Sequence, residues 1–486
     1  MGMVTSTLHR RLTRSAAALD SPQTQLTEFH RWFNDRVDAD KSRIDIIEFD
    51  RLNGWHFHPD TGNLTHESGR FFTVEGLSTD MPGAPVEHWE QPILHQPEIG
   101  ILGILVKDFA GIPHFLMQAK MEPGNHGPLQ ISPTVQATRS NYTRVHRGKP
   151  VPYLEYFQHP DRHHILADTR QSEQGTWFLR KRNRNMLIEV SPDTDIPLLD
   201  GYRWLTLGQI RHLLTHDNLI NMDSRSVLAL LPHPPANHHG TPYLDEADHE
   251  ALHTHGGDHK RKADARSRQD SVHPDPDIHS WITTQRTERT VTTQRIPLKN
   301  LPHWHQTPHR ITHETGRYFN VMAVDVTTHN REIARWTQPM IEPHGPGVAA
   351  FLLAHHEGTP HVLVQARAEP GYTDTVELAP TIQYTPRNYA HLPAHHQPPH
   401  LDHLTPGSPH RTLYDTLLSE EGGRFYHADN RYLIIETALN PDHETPDHRW
   451  ISLPQLQQLA HHSHYLNIET RTLLTCLHTL HQPAGG

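Results

Sequence analysis

The sequence predicts an α+β protein in which two copies of one mixed domain follow each other along the chain. Three observations support this fold class. The chain has 486 residues, more than one ordinary domain holds. Blocks of the first half recur in the second half at one constant spacing. Apolar residues alternate with period 2 in some segments and recur every three or four residues in others, which indicates strands and helices.

The internal repeat is visible in four pairs of blocks that share an offset of 247 residues: 65–72 with 312–319, 89–92 with 336–339, 114–142 with 361–389, and 168–189 with 415–436. The third pair is identical at 13 of 29 positions and the fourth at 10 of 22. A constant offset over four blocks is not coincidence. A period this long indicates a duplicated domain rather than a solenoid.

The join between the copies has its own composition. Few large apolar residues occur between His233 and Ser280, where His, Asp, Pro and Gly dominate. Such a segment cannot bury enough apolar surface to offset the entropy of ordering it. The expected organisation is therefore a flexible N-terminus (1–24), a first domain (25–232), a disordered linker (233–280), a second domain (281–481) and a short tail (482–486).

The elements of the first copy can be assigned in order. Leu26 to Val37 has apolar residues on one helical face. His114 to Glu122 alternates with period 2 and ends at a Pro-Gly turn, as a strand does. Asn185 to Val190 is a further strand, and Thr206 is placed to cap a helix that runs to Leu214. The second copy predicts the same elements at 361–369, 431–437 and 452–459.

Composition excludes several classes of function. Lys and Arg number 44 against 55 Asp and Glu, so a nucleic-acid partner is not expected. No apolar run approaches the roughly 20 residues that span a bilayer, and residues 1–20 lack the apolar stretch of a secretory signal. The single cysteine, Cys476, excludes an intrachain disulfide and a Cys-based zinc site. A cytoplasmic protein without a membrane partner is the expectation.

The polar face of the strand at 114–122 is the first candidate for chemistry. Gln118, Lys120 and Glu122 alternate, so an amide, a cation and a carboxylate lie about 6.5–7 Å apart on one face. This arrangement suits a general base beside an electrophile. A solvated sheet face with an ordinary Lys–Glu pair would have the same spacing, and the sequence does not decide between the two.

Two basic segments form the second candidate. Residues 130–149 and 172–184 are rich in arginine and hydrogen-bonding side chains. Arginine forks match phosphate oxygens, so these segments predict a small anion site such as one for a diphosphate, with solvated surface loops as the alternative. The second copy replaces most of these cations, although Arg184 persists as Arg431. The first copy therefore has the stronger potential for phosphate binding.

One metal-binding motif is present but lies in an unfavourable place. His249-Glu-Ala-Leu-His253 matches the pattern of zinc proteases. It falls within the expected linker, where no fold would supply a third ligand and a cleft. We therefore expect no metal site there.

The longer motifs carry a family resemblance. They include Glu98–Gly103 (EIGILG), Gln118–Asn125 (QAKMEPGN), Ser132–Tyr142 (SPTVQATRSNY) and Ser172–Asn185 (SEQGTWFLRKRNRN), with Val376–Thr381 and Ser419–Tyr426 in the second copy. With these motifs the sequence resembles the NDP-hexose 2,3-dehydratases of deoxysugar biosynthesis. The resemblance covers both copies, roughly residues 25–232 and 278–481.

The resemblance implies a fold and an activity. The fold would be two Nudix-like α/β domains with mixed sheets, without the Nudix box of the hydrolases, and the protein would be a homodimer. The reaction would remove water across C2 and C3 of dTDP-4-keto-6-deoxyglucose without metal or cofactor. An NADPH-dependent 3-ketoreductase would then reduce the 3,4-diketo-2,6-dideoxy product. A nucleotide-sugar binding protein without catalysis and a 4-keto-sugar epimerase remain as alternatives.

Roles for individual residues combine this resemblance with the chemistry of the elimination. Glu122 is expected to be the base, Lys120 or Tyr142 to assist the enolate or the leaving group, and Glu173 to be a second acid or base. The expected substrate-binding residues are Trp55, Arg70, Gln118, Thr134, Gln136, Arg139, Asn141, Arg144, Trp177, Arg180, Arg182, Asn183 and Arg184. A second-copy nucleotide site is expected to use Arg367, Glu369, Gln383, Arg387, Tyr389, Arg424 and Arg431.

Overall fold

The structure, a computed structural model, describes residues 2–127, 129–139, 150–232, 271–328, 333–405, 407 and 409–481. Its elements confirm the mixed α and β content of both halves. The first copy holds helices α1 (Gly2–Ala17), α2 (Leu26–Ala39), α3 (Glu155–Gln158), α4 (Leu207–Leu213) and α5 (Met222–Leu228). Its strands are β1 (Arg43–Ile47), β2 (Trp55–Phe57), β3 (Leu64–His66), β4 (Thr73–Asp80), β5 (His88–His95), β6 (Gly100–Phe109), β7 (Ile112–Lys120), β8 (Gln130–Ser132), β9 (Val135–Ala137), β10 (His164–Ser172), β11 (Arg182–Val190) and β12 (Tyr202–Thr206).

The second copy repeats this order. Its helices are α6 (Asp275–Glu288), α7 (Pro386–Tyr389), α8 (Leu453–Ala460) and α9 (Ile468–Cys476). Its strands are β13 (Thr292–Ile296), β14 (Trp304–Gln306), β15 (Arg310–His313), β16 (Phe319–Thr327), β17 (Arg335–Pro343), β18 (Gly347–His356), β19 (Thr359–Ala368), β20 (Val376–Pro380), β21 (Ile382–Tyr384), β22 (Arg411–Ser419), β23 (Asp429–Glu436) and β24 (His448–Ser452).

Each copy contributes one seven-stranded mixed sheet. In the first copy the order is β10-β11-β6-β7-β12, with β8 on β7 and β9 on β6, and the β11–β6 pair is parallel. The second copy has the matching order β22-β23-β18-β19-β20, with β24 on β19 and β21 on β18. Its β18–β23 pair is parallel as well. The two sheets are therefore related as the sequence repeat requires.

The two copies exchange a strand in their smaller sheets. Strand β1 of the first copy pairs with β16 of the second, from Arg43 opposite Thr327 to Ile47 opposite Ala323. In return, β13 of the second copy pairs with β4 of the first, from Thr292 opposite Asp80 to Ile296 opposite Gly76. Each five-stranded sheet therefore contains four strands of one copy and one strand of the other, and the copies are not separate in space.

Both faces of the first seven-stranded sheet are covered. Phe115 and Met117 of β7 pack into the larger apolar core, whereas Leu116 packs into a second cluster on the opposite face. The polar residues at the end of this strand are buried too: Lys120 is 6% exposed and Glu122 is 4% exposed. The interpretation of these two side chains as part of a solvated sheet face is therefore wrong.

Two helix starts follow the sequence signals. The Thr206 hydroxyl accepts a hydrogen bond from the backbone N–H of Gln209, and the Gln209 side chain accepts from the backbone N–H of Thr206. Ser452 and Gln455 form the same reciprocal cap before α8. These capping boxes satisfy donors that a helix start leaves unpaired, which confirms both predicted starts.

The ends of the expected domains differ from the structure in two places. The segment 1–24, expected to be flexible, contains α1, whose Leu12 is buried and whose Ser15 hydroxyl donates to the Pro113 carbonyl at 2.5 Å. Residues 233–270 of the expected linker lie outside the described residues. Its last part, 275–280, belongs to α6, whose Ile278 packs into the main core. The zinc-protease-like motif at 249–253 lies outside the described residues.

None of the helices in the described part of the chain has the length and apolar character needed to cross a membrane.

Candidate active site

A cavity of about 390 Å³ opens at the end of β7, between the mixed sheet of the first copy and elements of the second. Its first-copy lining includes Trp55, Phe72, Gln96, Leu102, Lys120, Glu122, Gln136, Lys181, Asn183 and Asp223. Its second-copy lining includes Arg335, Trp336, Thr337, Gln338, Glu421 and Arg424. Arg335 at the rim is exposed, whereas Leu102, Glu122 and Asp223 are buried. The lining is therefore exposed at the mouth and buried at the floor, and both copies build the cavity.

Glu122 and Lys120 lie at the floor, where the β7 backbone ends. The Glu122 Oε1 accepts a hydrogen bond from the Gln136 Nε2 at 2.6 Å, and the Lys120 ammonium donates to the Gln136 carbonyl at 3.3 Å. Gln136 lies on β9, which pairs with β6 of the same sheet. Since three positions of one rigid sheet fix these groups, the carboxylate and the cation are held in place before any ligand binds.

A loop of the second copy closes this floor. The Gly124 N–H donates to the Gly422 carbonyl at 2.7 Å, and the His427 N–H donates to the Gly124 carbonyl at 2.7 Å. A Cβ atom at Gly124 would lie 1.7 Å from the Phe425 carbonyl oxygen, so only glycine permits this approach. The turn after β7, which the sequence marks as Pro-Gly, is therefore also the seam between the copies.

Asp223 enters the floor from the first turn of α5. The Asn221 side chain caps this helix by accepting from the Ser224 N–H at 2.9 Å, and it donates to the Ser132 hydroxyl of β8 at 3.0 Å. Asp223 is 3% exposed and its Oδ1 has no hydrogen-bond partner among the described residues. Burial raises the pKa of Asp223 well above its usual value, and the carboxyl groups of Glu173, Glu122 and Glu421 add to this rise.

Glu173 lies behind the cavity wall and does not line it. Its Oε1 accepts from the Asn183 Nδ2 at 2.6 Å, and the Asn183 Oδ1 accepts from the Gly100 N–H at 3.0 Å. Burial, with the nearby Glu421 carboxyl, raises the pKa of Glu173 to about 8. The Lys181 cation opposes the rise in the pKa of Glu173. Glu173 therefore reaches the cavity only through Asn183, which lines it.

Glu421 and Arg424 bring second-copy charges into the first-copy cavity. The Arg424 guanidinium lies over the Phe72 ring, 4.4 Å from its centre, and donates to the Gln96 Oε1 at 3.1 Å. Burial raises the pKa of the Glu421 carboxyl, whereas the Arg424 and Lys181 cations oppose that rise. Burial lowers the pKa of the Lys181 ammonium. The site thus combines several carboxyl groups with several cations, most of them on buried side chains.

Comparison with known proteins identifies the family. The family model for NDP-hexose 2,3-dehydratase matches residues 26–231 and 275–477. A dTDP-4-dehydro-6-deoxy-alpha-D-glucopyranose 2,3-dehydratase of Amycolatopsis orientalis is 46% identical over 484 residues, which is 98% of this chain and 95% of the relative. Enzymes with the same description from Saccharopolyspora spinosa and Streptomyces violaceoruber are 44% and 43% identical, over 97% and 94% of this chain and 95% and 98% of their own length. The chain belongs to the NDP-hexose 2,3-dehydratase family.

Several residues predicted from the sequence line the cavity of this 2,3-dehydratase family member. They are Trp55, Lys120, Glu122, Gln136 and Asn183. Arg70, Arg139 and Arg180 are exposed and do not line it, and neither do Gln118, Arg182 and Glu173. Asn141, Tyr142 and Arg144 lie outside the described residues.

Three predicted substrate-binding residues have other partners in the structure. Arg184 forms a bidentate ion pair with Asp168 across β10 and β11, at 2.7 and 2.5 Å. The Thr134 hydroxyl accepts from the Leu105 N–H at 2.8 Å and donates to the Leu116 carbonyl, so it joins two strands. Trp177 lies against Phe319 and Phe425 of the second copy, with ring centres 6.5 and 4.6 Å apart. These placements do not support a direct role in the first-copy cavity.

The predicted second-copy site is brought together only in part. Arg367 donates to the Glu369 Oε1 at 2.8 Å and to the Gln383 carbonyl at 3.0 Å, so these three side chains are adjacent. Arg387 and Tyr389 lie on α7, and Arg431 pairs with Asp415 as Arg184 does with Asp168. Arg424, expected here, belongs to the first-copy cavity instead. The loop that carries it crosses to the other copy, which the repeat alone does not reveal.

The sequence analysis missed Asp223, Glu421 and Gln96. Glu421 had a usable signal, because the repeat has Gln174 at the corresponding position and the change adds a charge within a shared motif. Asp223 corresponds to Glu469, so both copies keep a carboxyl group at the start of a helix.

Among the residues that the structure describes, no group of three or more His, Cys, Asp or Glu side chains is placed to hold a metal ion.

Proposed function

We propose that this protein removes water across C2 and C3 of dTDP-4-keto-6-deoxyglucose to give the 3,4-diketo-2,6-dideoxy sugar. The observation that carries the proposal is the floor of the first-copy cavity, where the Glu122 carboxylate, the Lys120 ammonium and a buried acid converge. The relatives from Amycolatopsis, Saccharopolyspora and Streptomyces carry the matching description over nearly the whole chain. The reaction class is therefore that of a carbon–oxygen lyase.

The chemistry follows from the ketone at C4. This ketone acidifies the proton on C3, and Glu122 removes that proton to form an enolate. The Lys120 ammonium stabilises the negative charge that develops on the enolate oxygen. The enolate then expels the C2 hydroxyl, which leaves as water after it receives a proton. The enol at C3 finally tautomerises to the second ketone, and the sum is loss of one water molecule.

The burial gradient of the cavity supports one orientation of the substrate. The hexose occupies the dry floor near Glu122, where charged groups act most strongly. The diphosphate lies toward Arg424, whose fork matches phosphate oxygens, whereas Arg335 at the rim is paired with Asp325. The thymine lies at the mouth, where Trp336 and Phe71 offer partly exposed rings. The arginine proposed for the diphosphate is thus one that the sequence placed in a second-copy site.

Several finer features belong to the same proposal. The two domains have a Nudix-like architecture, and the protein acts as a homodimer in the cytoplasm, in keeping with its single buried cysteine. An NADPH-dependent 3-ketoreductase consumes the product. Dehydration needs no metal, since the side chains of the floor can supply the base, the acid and the cation.

The test uses the full-length protein with dTDP-4-keto-6-deoxyglucose in deuterated buffer. A 3-ketoreductase and NADPH trap the product, and mass spectrometry follows both substrate and product. The expected result is loss of one water and a trapped 2-deoxy sugar, at the same rate with and without EDTA. A reaction without enzyme corrects for spontaneous exchange.

Two results would contradict the proposal. Gain of deuterium at C3 in wild-type protein without any loss of water would indicate an epimerase. Tight binding of dTDP with an unchanged keto-sugar would indicate a binding protein. A rate that disappears with EDTA and returns with a divalent metal would contradict only the proposed metal independence.

A further inference from the structure

We propose that Asp223 is the catalytic acid that protonates the departing C2 hydroxyl. This inference rests on the proposed dehydration and assigns its second proton transfer. The elimination requires a proton donor on the dry side of the cavity as well as a base, because hydroxide is a poor leaving group. Nothing in the sequence motifs singles out this residue.

Three carboxyl groups near Glu122 could act as the donor, and geometry separates them. Glu173 does not line the cavity, and its Oε1 is bound to the Asn183 side chain. Glu421 lines it and also has a buried Oε2 without a partner among the described residues, but it lies beside Arg424, at the proposed diphosphate position. Asp223 lines the floor with Lys120 as its nearby cation and with three carboxyl groups around it. A carboxyl group in such surroundings retains its proton.

The support of Asp223 gives it a fixed direction. Asn221 caps α5 and also binds β8, and the Ile131 N–H donates to the Leu219 carbonyl at 2.8 Å, so the helix start is tied to the sheet that carries Glu122. The buried Arg225 of the same helix donates to the Ile220 carbonyl at 2.6 Å and to the Ser419 carbonyl at 2.6 Å. The acid is thereby positioned relative to the base through β8, which pairs with β7, and Arg225 ties the same helix to the second copy.

The Asp223 Oδ1 is the group that would deliver the proton. It has no hydrogen-bond partner among the described residues although the side chain is only 3% exposed. An unpaired polar atom at this depth is costly, and a substrate hydroxyl offers the partner that removes this cost. After proton transfer the Asp223 carboxylate would be adjacent to the Lys120 ammonium, which stabilises it until it regains a proton.

The experiment separates the two proton transfers. Asp223→Asn keeps the shape of the side chain but has no acidic proton. In deuterated buffer this variant should still exchange the C3 hydrogen of recovered substrate, whereas loss of water should fall about 100-fold or more. Glu122→Gln should lose both the exchange and the dehydration. Glu469→Gln, the corresponding change in the second copy, serves as the matched control and should dehydrate at the wild-type rate.

A substrate analogue provides an independent readout. In the 2-deoxy-2-fluoro form of the same keto-sugar, the leaving group is fluoride, which departs without being protonated. Asp223→Asn should release fluoride at nearly the wild-type rate, whereas Glu122→Gln should not. A purely structural role for Asp223 would slow both substrates equally. If the Asn variant does not fold, Asp223→Ser replaces it in both measurements.

The outcomes distinguish this inference from the proposed function. If wild-type protein does not release water, the proposed function fails. If wild-type protein dehydrates the substrate and Asp223→Asn does so equally fast, Asp223 is not the acid. A parallel loss of C3 exchange, dehydration and fluoride release in Asp223→Asn would also overturn the assignment, because it would indicate a positioning role.

Discussion

The residues at the floor of the first-copy cavity and their counterparts in the second copy occupy equivalent places in the repeat but differ in their pairing. Lys120 and Glu122 correspond to Arg367 and Glu369, which pair directly at 2.8 Å. Both cations donate to the carbonyl of the corresponding glutamine, Lys120 to Gln136 and Arg367 to Gln383. The Gln136 amide donates to Glu122 at 2.6 Å, whereas the Gln383 amide is 3.5 Å from Glu369, which binds the Arg367 guanidinium at 2.8 Å.

The loops that cover the two sites also differ, and they differ in charge. The second-copy loop brings Glu421 and Arg424 to the first site, whereas the first-copy loop brings Gln174 and Trp177 to the second. Arg424 lies over Phe72, and Trp177 faces Phe319, the corresponding ring. Asn125 corresponds to Tyr372, whose ring would lie 2.5 Å from a Cβ at Gly175. Duplication thus preserved the scaffold, whereas the charged Glu421 and Arg424 of one covering loop correspond to the uncharged Gln174 and Trp177 of the other.

The largest expected effect tests which copy is catalytic. Glu122→Gln removes the proposed base and should lower kcat about 10²–10⁴-fold, because it leaves only the neutral amide pair with Gln136. The same change at Glu369 should lower kcat far less, since that carboxylate is already paired with Arg367. Steady-state dehydration measured with the trapping reductase provides both values. Equal losses in the two variants would mean that both copies take part in catalysis.

The next effect concerns Arg424, the second-copy cation that lines the first-copy cavity. Arg424→Met should raise KM about 10–100-fold with a smaller change in kcat, since it removes charged hydrogen bonds to the diphosphate. Arg424→Lys should recover part of the loss. Arg411→Met, which removes an exposed cation from an ion pair with Glu436, is the control. If KM did not change in Arg424→Met, the diphosphate would not lie beside Arg424.

A smaller effect, on stability, is expected from an ion pair on one of the two exchanged strands. Arg295 of β13 binds the buried Glu75 of β4 in bidentate fashion, at 2.5 and 2.8 Å. Burial opposes ionisation of Glu75, but hydrogen bonds from His95, Arg295 and Thr73 outweigh it and lower its pKa to about 2. Arg295→Ala should therefore reduce the free energy of unfolding by about 1–3 kcal/mol.

The control for this variant lies on the other exchanged strand. Arg43 of β1 pairs with Asp45, but the Arg43 side chain is 76% exposed and that of Asp45 is 45% exposed. Such surface pairs contribute little, so Arg43→Ala should have almost no effect on chemical denaturation. A loss at Arg43 as large as that at Arg295 would show that the strand exchange itself, rather than the buried pair, determines the effect.

A further effect is a pH dependence of stability. The pKa of Glu173 is about 8 in the folded protein against 4.5 for an exposed glutamate, chiefly because the group is buried. Between these two values the folded state binds a proton that the unfolded state releases, so the contribution of Glu173 to stability falls as pH rises. The Tm of Glu173→Gln relative to wild type should therefore increase from pH 5 to pH 8. Glu155→Gln, an exposed change on α3, corrects for general pH effects; a flat difference would contradict the assignment.

The sequence predicted the repeated unit and part of the site. Strand β7, the Thr206 and Ser452 caps and the Glu122–Lys120 pair could be recognised because they depend on local periodicity and short motifs. Arg424 was expected in a second-copy site but lines the first-copy cavity, and Trp177 was expected in the first copy but lies against Phe319 and Phe425 of the second. Their loops cross between the copies through backbone contacts such as Gly124 with Gly422, and a repeat comparison cannot detect contacts of that kind. Asp223 was missed since a single acidic residue at a helix start has no distinctive pattern.

The exchanged strands have a consequence for how the chain is made. Strand β1 cannot pair with β16 until β16 has been synthesised, and Thr327, which lies opposite Arg43, is 284 residues further along the chain. At ribosomal rates of about 5–20 residues per second, this interval is roughly 15–60 s. During that time the N-terminal half carries an unpaired strand and an incomplete sheet, a state in which edges invite association with other chains. Biosynthesis of this protein should therefore depend on chaperones that hold the first half until the second emerges.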